Sequence, residues 1–338
     1  MIRKIYKHDK ALTLESGKIL PEVEICYHIS ADEVGDKKVI WICHALTANS
    51  DPSEWWNGLV GKGKYFDTDK YFIICANILT SCYGTTGPES VDPETNKPYL
   101  LNFPLVSIRD MVNAHEVLRK HLDISQIDLL VGGSSGGFQA VEWSVSNPML
   151  IKNLCLLACN AQVSPWGTAF NESQRMALLA DSEFSAQLSP QGGRKGLECA
   201  RSIAILSYRS YEGFKLTQSE DDKDYFLAEK ASGYQRYQGF KLGERFNPYS
   251  YYYLTLGLDT HNVGRNRGGM ECALRKIEAN TLCVGIDSDV LFPLSEISSM
   301  TELIPNGKFE KISSSFGHDG FLLENDQIIN ALNKHITL

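Results

Sequence analysis

No stretch of the 338 residues approaches the ~18 uninterrupted apolar residues that a membrane-spanning helix requires. The opening MIRKIYKH is basic but lacks the apolar run of a secretory signal. None of the nine cysteines forms a CxxC pair, so a zinc or redox site has no support and no metal is expected. Repeats of fixed period and low-complexity tracts are also missing. Positive charge is in deficit: 33 Lys and Arg against 41 Asp and Glu leave a net −8, which argues against nucleic acid or an anionic membrane as a partner. Most cysteines lie inside apolar runs such as VIWICHA and YFIICAN, where they read as small buried hydrophobes of a reducing compartment. These absences lead to the expectation of a cytoplasmic protein that acts on small molecules.

What is present is alternation. Short apolar runs at 38–43 (KVIWIC), 71–76 (YFIICA), 127–131 (IDLLV), 154–158 (LCLLA), 282–286 (LCVGI) and 309–312 have the length of buried strands. Helical patterns separate them. Ser107 with Asp110 three residues on reads as a capping box, and Ile108, Met111, Val112, His115, Leu118 and Leu122 follow at helical spacing. Another helix is expected immediately after Ser134, ending before Pro148, and a C-terminal one carries Ile328, Ile329, Leu332 and Ile336. The pattern is that of an α/β fold with a mostly parallel sheet. Residues 162–271 interrupt it with helical patches at 173–179 and 198–206 and no convincing buried strand. The expected organisation is a core of 1–161 and 272–338 with a helical lid at 162–271.

The strand IDLLV runs directly into Gly132-Gly133-Ser134-Ser135-Gly136-Gly137 and then a helix. This is the context of a nucleophile elbow, G-x-S-x-G, in which the serine occupies a sharp turn and the flanking glycines permit close packing of strand and helix. Helix N–H groups beside it favour a developing negative charge. Two frames fit, one with Ser134 and one with Ser135 as nucleophile. No Walker lysine follows and no G-x-G-x-x-G occurs, so a nucleotide loop fits less well. A serine needs a base, and the base needs a carboxylate to orient it. In the α/β-hydrolase fold these follow in the order Ser, Asp, His. After the lid, LCVGI leads into Asp287-Ser288-Asp289 and FEKI leads into Gly317-His318-Asp319-Gly320. His318 is the candidate base, with Asp287 and Asp289 competing for the acid. His44 follows an early strand, where this fold builds its oxyanion hole. His115 and His121 fall on a helix and suit packing or solvation.

Taken together, HALT (44–47), NILTSCYGTTGP (77–88), FPLVSIRDM (103–111), GGSSGGFQAVEW (132–143), ARSIAILSYRS (200–210), YQRYQGFKLGERF (234–246), DVLFP (289–293) and GHDGFL (317–322) resemble the homoserine O-acetyltransferase family over most of the chain. The resemblance implies Ser134 as nucleophile, Asp289 as acid and His318 as base. It implies an oxyanion hole from the backbone N–H groups of Leu46 and Ser135. Arg201 and Tyr208 match residues that position homoserine, and Asp319 matches an acid that meets the substrate amino group. It further implies ping-pong acyl transfer with acetyl-CoA as co-substrate, no permanently bound cofactor, and a homodimer formed through the lid. One departure is Ser135, where the family commonly has methionine. Succinyl-CoA as donor, serine as acceptor, and a carboxylic-ester hydrolase using water stay open as alternatives.

Overall fold

The structure, a computed structural model, describes residues 1–186, 189 and 192–338. Among these, eight strands form one sheet: β1 Ile2–His8, β2 Val23–Ile29, β3 Val39–Cys43, β4 Phe72–Ala76, β5 Ile127–Gly133, β6 Ile151–Leu157, β7 Asn280–Ile286 and β8 Gly307–Ile312. Their order across the sheet is β1-β2-β4-β3-β5-β6-β7-β8. β1 and β2 are antiparallel to each other, and β2 is antiparallel to β4. Every other pairing is parallel. The mostly parallel α/β architecture is as expected. β1 and β2 were not anticipated: β1 is an edge strand exposed on most of its length and carries no apolar run, and in the buried β2 Glu24 and His28 interrupt the run that a buried strand otherwise shows.

β3 to β7 are apolar on both faces because helices cover both. Trp41 and Leu130 pack on one side with Trp143, where the Trp41 and Trp143 rings meet edge-on at 4.8 Å. Ile40, Ile42, Leu129 and Val131 pack on the other side with Ile328 and Leu332. The first side is covered by α1 (Ile108–His121), α2 (Ser135–Ser146) and a helix over Leu294–Glu302, and the second by the C-terminal helix Asn325–His335. α1 begins with the expected capping box: Ser107 accepts from the Asp110 N–H, and Asp110 accepts from the Ser107 N–H.

Between β6 and β7 the chain makes α3 (Pro165–Leu179), α4 (Arg194–Tyr208), α5 (Tyr211–Gln218), α6 (Glu229–Gly243) and α7 (Pro248–Asp259). α4 packs between α3 and α6 and ends against the turn at Gly317–Asp319. Register fixes where the sheet's loops gather. Cys43 is paired with Gly132, Gly133 with Leu157, and Ile286 with Ile312, so the chain leaves β3, β5, β7 and β8 at one edge. In open parallel sheets that carboxyl edge is where sites assemble.

Candidate active site

Ser134 sits between β5 and α2 at φ 56°, ψ −126°, a conformation that is costly for a side-chain-bearing residue. Its surroundings explain how the turn is held. A Cβ on Gly132 would lie 2.2 Å from the Gly136 carbonyl oxygen, and one on Gly136 would lie 2.1 Å from the Cys43 carbonyl oxygen. Only hydrogen fits at either position. The Ser134 N–H also donates to the Leu157 carbonyl at 2.9 Å, which ties the elbow to β6.

The loops after β7 and β8 bring Asp289 and His318 to this serine. The Ser134 hydroxyl lies 2.8 Å from His318 Nε2, and His318 Nδ1 lies 2.7 Å from Asp289 Oδ2. A carboxylate can only accept, so Nδ1 carries the proton and Nε2 is free to accept from the serine. Asp289 Oδ1 accepts from the Leu291 and Phe292 N–H groups at 2.8 and 3.2 Å. His318 and Asp289 are both buried. Burial, the largest influence on His318, disfavours its charged form, yet the charge and hydrogen bond of Asp289 outweigh it and hold the pKa above the usual value.

The neighbouring candidates lie elsewhere. Asp287 turns to the loop carrying the histidine, accepting from Ser313 Oγ at 2.6 Å and the Ser314 N–H at 3.1 Å. Ser135 is the first residue of α2, and its hydroxyl is buried without a partner among the described residues. His44 is buried and neutral: Nδ1 faces the Ala45 carbonyl at 2.9 Å, Nε2 accepts from the Ile78 N–H at 3.2 Å, and burial lowers its pKa to about 4. It shapes the loop that carries Leu46.

Leu46 and Ser135 flank Ser134, and neither backbone N–H has a partner among the described residues. Gln139, which the sequence did not single out, fastens their two segments together. Its Nε2 donates to the His44 carbonyl at 3.1 Å and the Ser135 carbonyl at 3.0 Å, while its Oε1 faces His115 Nε2 at 3.0 Å. His115 is thereby packed, with burial lowering its pKa to about 4.

Ser134, His318, Leu46, Arg201, Tyr208 and Asp319 line one cavity of about 570 Å3. Arg201 lies over the Tyr208 ring, 5.3 Å from its centre, and the Tyr208 ring is 5.9 Å from the His318 imidazole. Burial pushes the Tyr208 phenol up. Burial likewise raises the Asp319 carboxyl, opposed most by Arg209, whose guanidinium is 3.3 Å away. Arg209 is a second residue the sequence did not mark, because the pairing depends on α4 ending against the His318 turn. A smaller cavity of about 50 Å3 opens on the Ser135 and Phe138 side of Ser134 and carries no charged side chain in its wall.

A buried acid–base–serine relay at a nucleophile elbow can form and discharge an acyl ester. The α/β-hydrolase fold model matches residues 38–325. The chain is 44% identical to a homoserine O-acetyltransferase of Cyclobacterium marinum over 331 residues, covering 97% of this chain and 93% of that one. The chain belongs to the homoserine O-acetyltransferase family of the α/β-hydrolase fold. Among solved structures, homoserine O-acetyltransferase from Bacillus anthracis superposes with a TM-score of 0.88 at 23% identity, covering 100% of this chain and 99% of that one. Esterase E22 superposes with a TM-score of 0.87 at 21% identity, covering 99% and 100%. Transferase and esterase thus share this scaffold, and the fold alone does not separate them. Membership of the family also implies an acyl-CoA co-substrate.

Proposed function

We propose that this protein is a homoserine O-acetyltransferase of methionine biosynthesis, moving an acetyl group from acetyl-CoA through Ser134 to the hydroxyl of L-homoserine. One observation carries this reading: the Ser134–His318–Asp289 relay opens into the same cavity as Arg201, Tyr208 and Asp319. An esterase has no use for a guanidinium, a phenol and a carboxylate arranged around its serine, whereas an amino-acid acceptor does.

In the first half-reaction Ser134 Oγ attacks the thioester carbonyl and its proton passes to His318 Nε2. The oxyanion draws on the N–H groups of Leu46 and Ser135, a contribution of roughly 3–4 kcal/mol per donor. The C–S bond then breaks and CoA leaves with the proton from His318. In the second half, His318 takes the proton of the homoserine hydroxyl, whose oxygen attacks the acetyl-Ser134 carbonyl. Ser134 leaves and recovers its proton from His318. Arg201 and Tyr208 hold the acceptor carboxylate and Asp319 its ammonium, leaving the hydroxyl beside Nε2.

Residues 162–271 act as a lid that keeps water from the acyl-enzyme. The same region supports a homodimer formed through it, since Tyr211, Leu216 and Phe226 are 78%, 72% and 97% exposed. Cysteines that are free and for the most part buried suit a cytoplasmic setting. The test is thiol release from acetyl-CoA with and without homoserine, with product identification. Homoserine-dependent release yielding O-acetylhomoserine is expected. Release indifferent to any amino acid would favour the hydrolase instead.

A further inference from the structure

The cavity over Ser134 has two chemically different ends. Its inner end, with Arg201, Tyr208 and Asp319 beside His318, matches the carboxylate, ammonium and hydroxyl of the amino-acid acceptor. Its rim carries Trp55, Lys241 and Arg245, which the acceptor does not need.

Lys241 lies in the last turn of α6 and Arg245 just beyond it, and both are exposed. Arg245 Nη1 donates to the Thr47 carbonyl and to the Tyr83 hydroxyl, each at 2.7 Å, and no carboxylate pairs with it among the described residues. The Lys241 side chain has neither a hydrogen bond nor an ion pair among the described residues. By contrast, the nearby Arg194 is paired with both Glu198 and Glu244. The carboxylate at the rim, Glu54, is engaged by the Asn49 side-chain amide at 2.9 Å. In a chain of net charge −8, two cations without a carboxylate partner at a cavity mouth are available for an anion from outside.

Trp55 adds a flat surface to this rim. Its indole stacks on the buried Trp56, with centroids 5.5 Å apart and planes within 15°, and its Nε1–H donates to the Asn49 carbonyl at 2.9 Å. Trp56 in turn donates to the Phe321 carbonyl at 3.2 Å. The ring is therefore held in place before any ligand arrives, and a fixed aromatic face beside cations suits a phosphorylated purine nucleotide.

We propose that Trp55, Lys241 and Arg245 form the subsite for the phosphorylated nucleotide end of the acyl-CoA donor, Lys241 and Arg245 facing its phosphates and Trp55 stacking on its adenine. The assignment rests on acyl-CoA being the donor. It leaves the pantetheine arm to run inward along the cavity and present the thioester to Ser134.

The test compares two donors: acetyl-CoA and S-acetyl-N-acetylcysteamine, which has the thioester but no nucleotide. Lys241→Glu is expected to raise KM for acetyl-CoA about tenfold, the loss of one charge-assisted contact, while KM for the truncated donor stays within about twofold. Trp55→Leu should act in the same donor-selective direction, and added salt should shrink the effect of Lys241→Glu. Activity with the truncated donor doubles as the control for folding. Equal losses with both donors, or an unchanged KM for acetyl-CoA, would overturn the subsite. If the unaltered chain is acylated by neither thioester, the donor chemistry itself is wrong, and the subsite falls with it.

Discussion

The sheet core and the inserted helices treat apolar side chains in opposite ways. In β3, Ile40, Trp41 and Ile42 are all 0% exposed, each such burial contributing about 1.5–3 kcal/mol. In the insert, most of α5 and the segment before α6 face solvent, with Tyr211, Leu216 and Phe226 among the most exposed residues. The insert presents apolar surface outward and a cation, a phenol and basic groups with no carboxylate partner among the described residues toward the cavity. The labour is thus divided: the core holds the Ser134–His318–Asp289 relay, and the insert brings Arg201, Tyr208, Lys241 and Arg245 to a cavity that Trp55 and Asp319 of the core also line.

Changes that should break both half-reactions lie in the core. Ser134→Ala is expected to lower turnover by about 10^5–10^6-fold, measured as thiol release with homoserine present. Asp289→Asn should cost about 10^4-fold, because the histidine loses the acceptor that fixes its tautomer. Asp287→Asn, two residues away, should cost about tenfold or less, since it removes a loop contact only. Comparable losses for the two aspartates would overturn the assignment of Asp289.

Changes in the insert should spare acylation. Arg201→Ala is expected to raise KM for homoserine about 100-fold while a rapid-quench burst of acetyl-enzyme persists, as befits a lost charge-assisted contact. Disappearance of the burst would break the division of labour. Phe226→Asp should shift the proposed homodimer toward monomer in sedimentation, with the burst retained.

The pH dependence sharpens the same comparison. His318 must be neutral to accept the serine proton, and its pKa is held above the ordinary value by Asp289. The acid limb of acylation should therefore lie above pH ~6.5. In Asp289→Asn the residual activity should show that limb moved to lower pH, because the carboxylate that favours imidazolium is gone. An unmoved limb would mean that another group titrates there.

How much of this was legible in the sequence differs by region for physical reasons. Strands buried on both faces read as continuous apolar runs, so IDLLV and LCVGI were found within β5 and β7. The elbow was legible because its glycines are dictated by backbone collisions that leave a fixed spacing. Spacing alone did not separate Ser134 from Ser135 or Asp289 from Asp287. Those choices depend on which side of a turn faces the imidazole. Gln139, Arg209 and Arg245 were illegible because their partners are remote in sequence: His44 lies 95 residues from Gln139 and Thr47 lies 198 from Arg245. Phe226 and Leu216 carry no periodic signal, since their apolar surface is not directed at this chain's own core.

The most direct measurement is mass spectrometry of the protein quenched after exposure to acetyl-CoA alone, followed by peptide mapping. The account predicts one acetyl group on the peptide containing Ser134, localised to Ser134 itself and discharged by homoserine into O-acetylhomoserine. Turnover without an acetylated peptide, or acetyl found on Ser135, would contradict it.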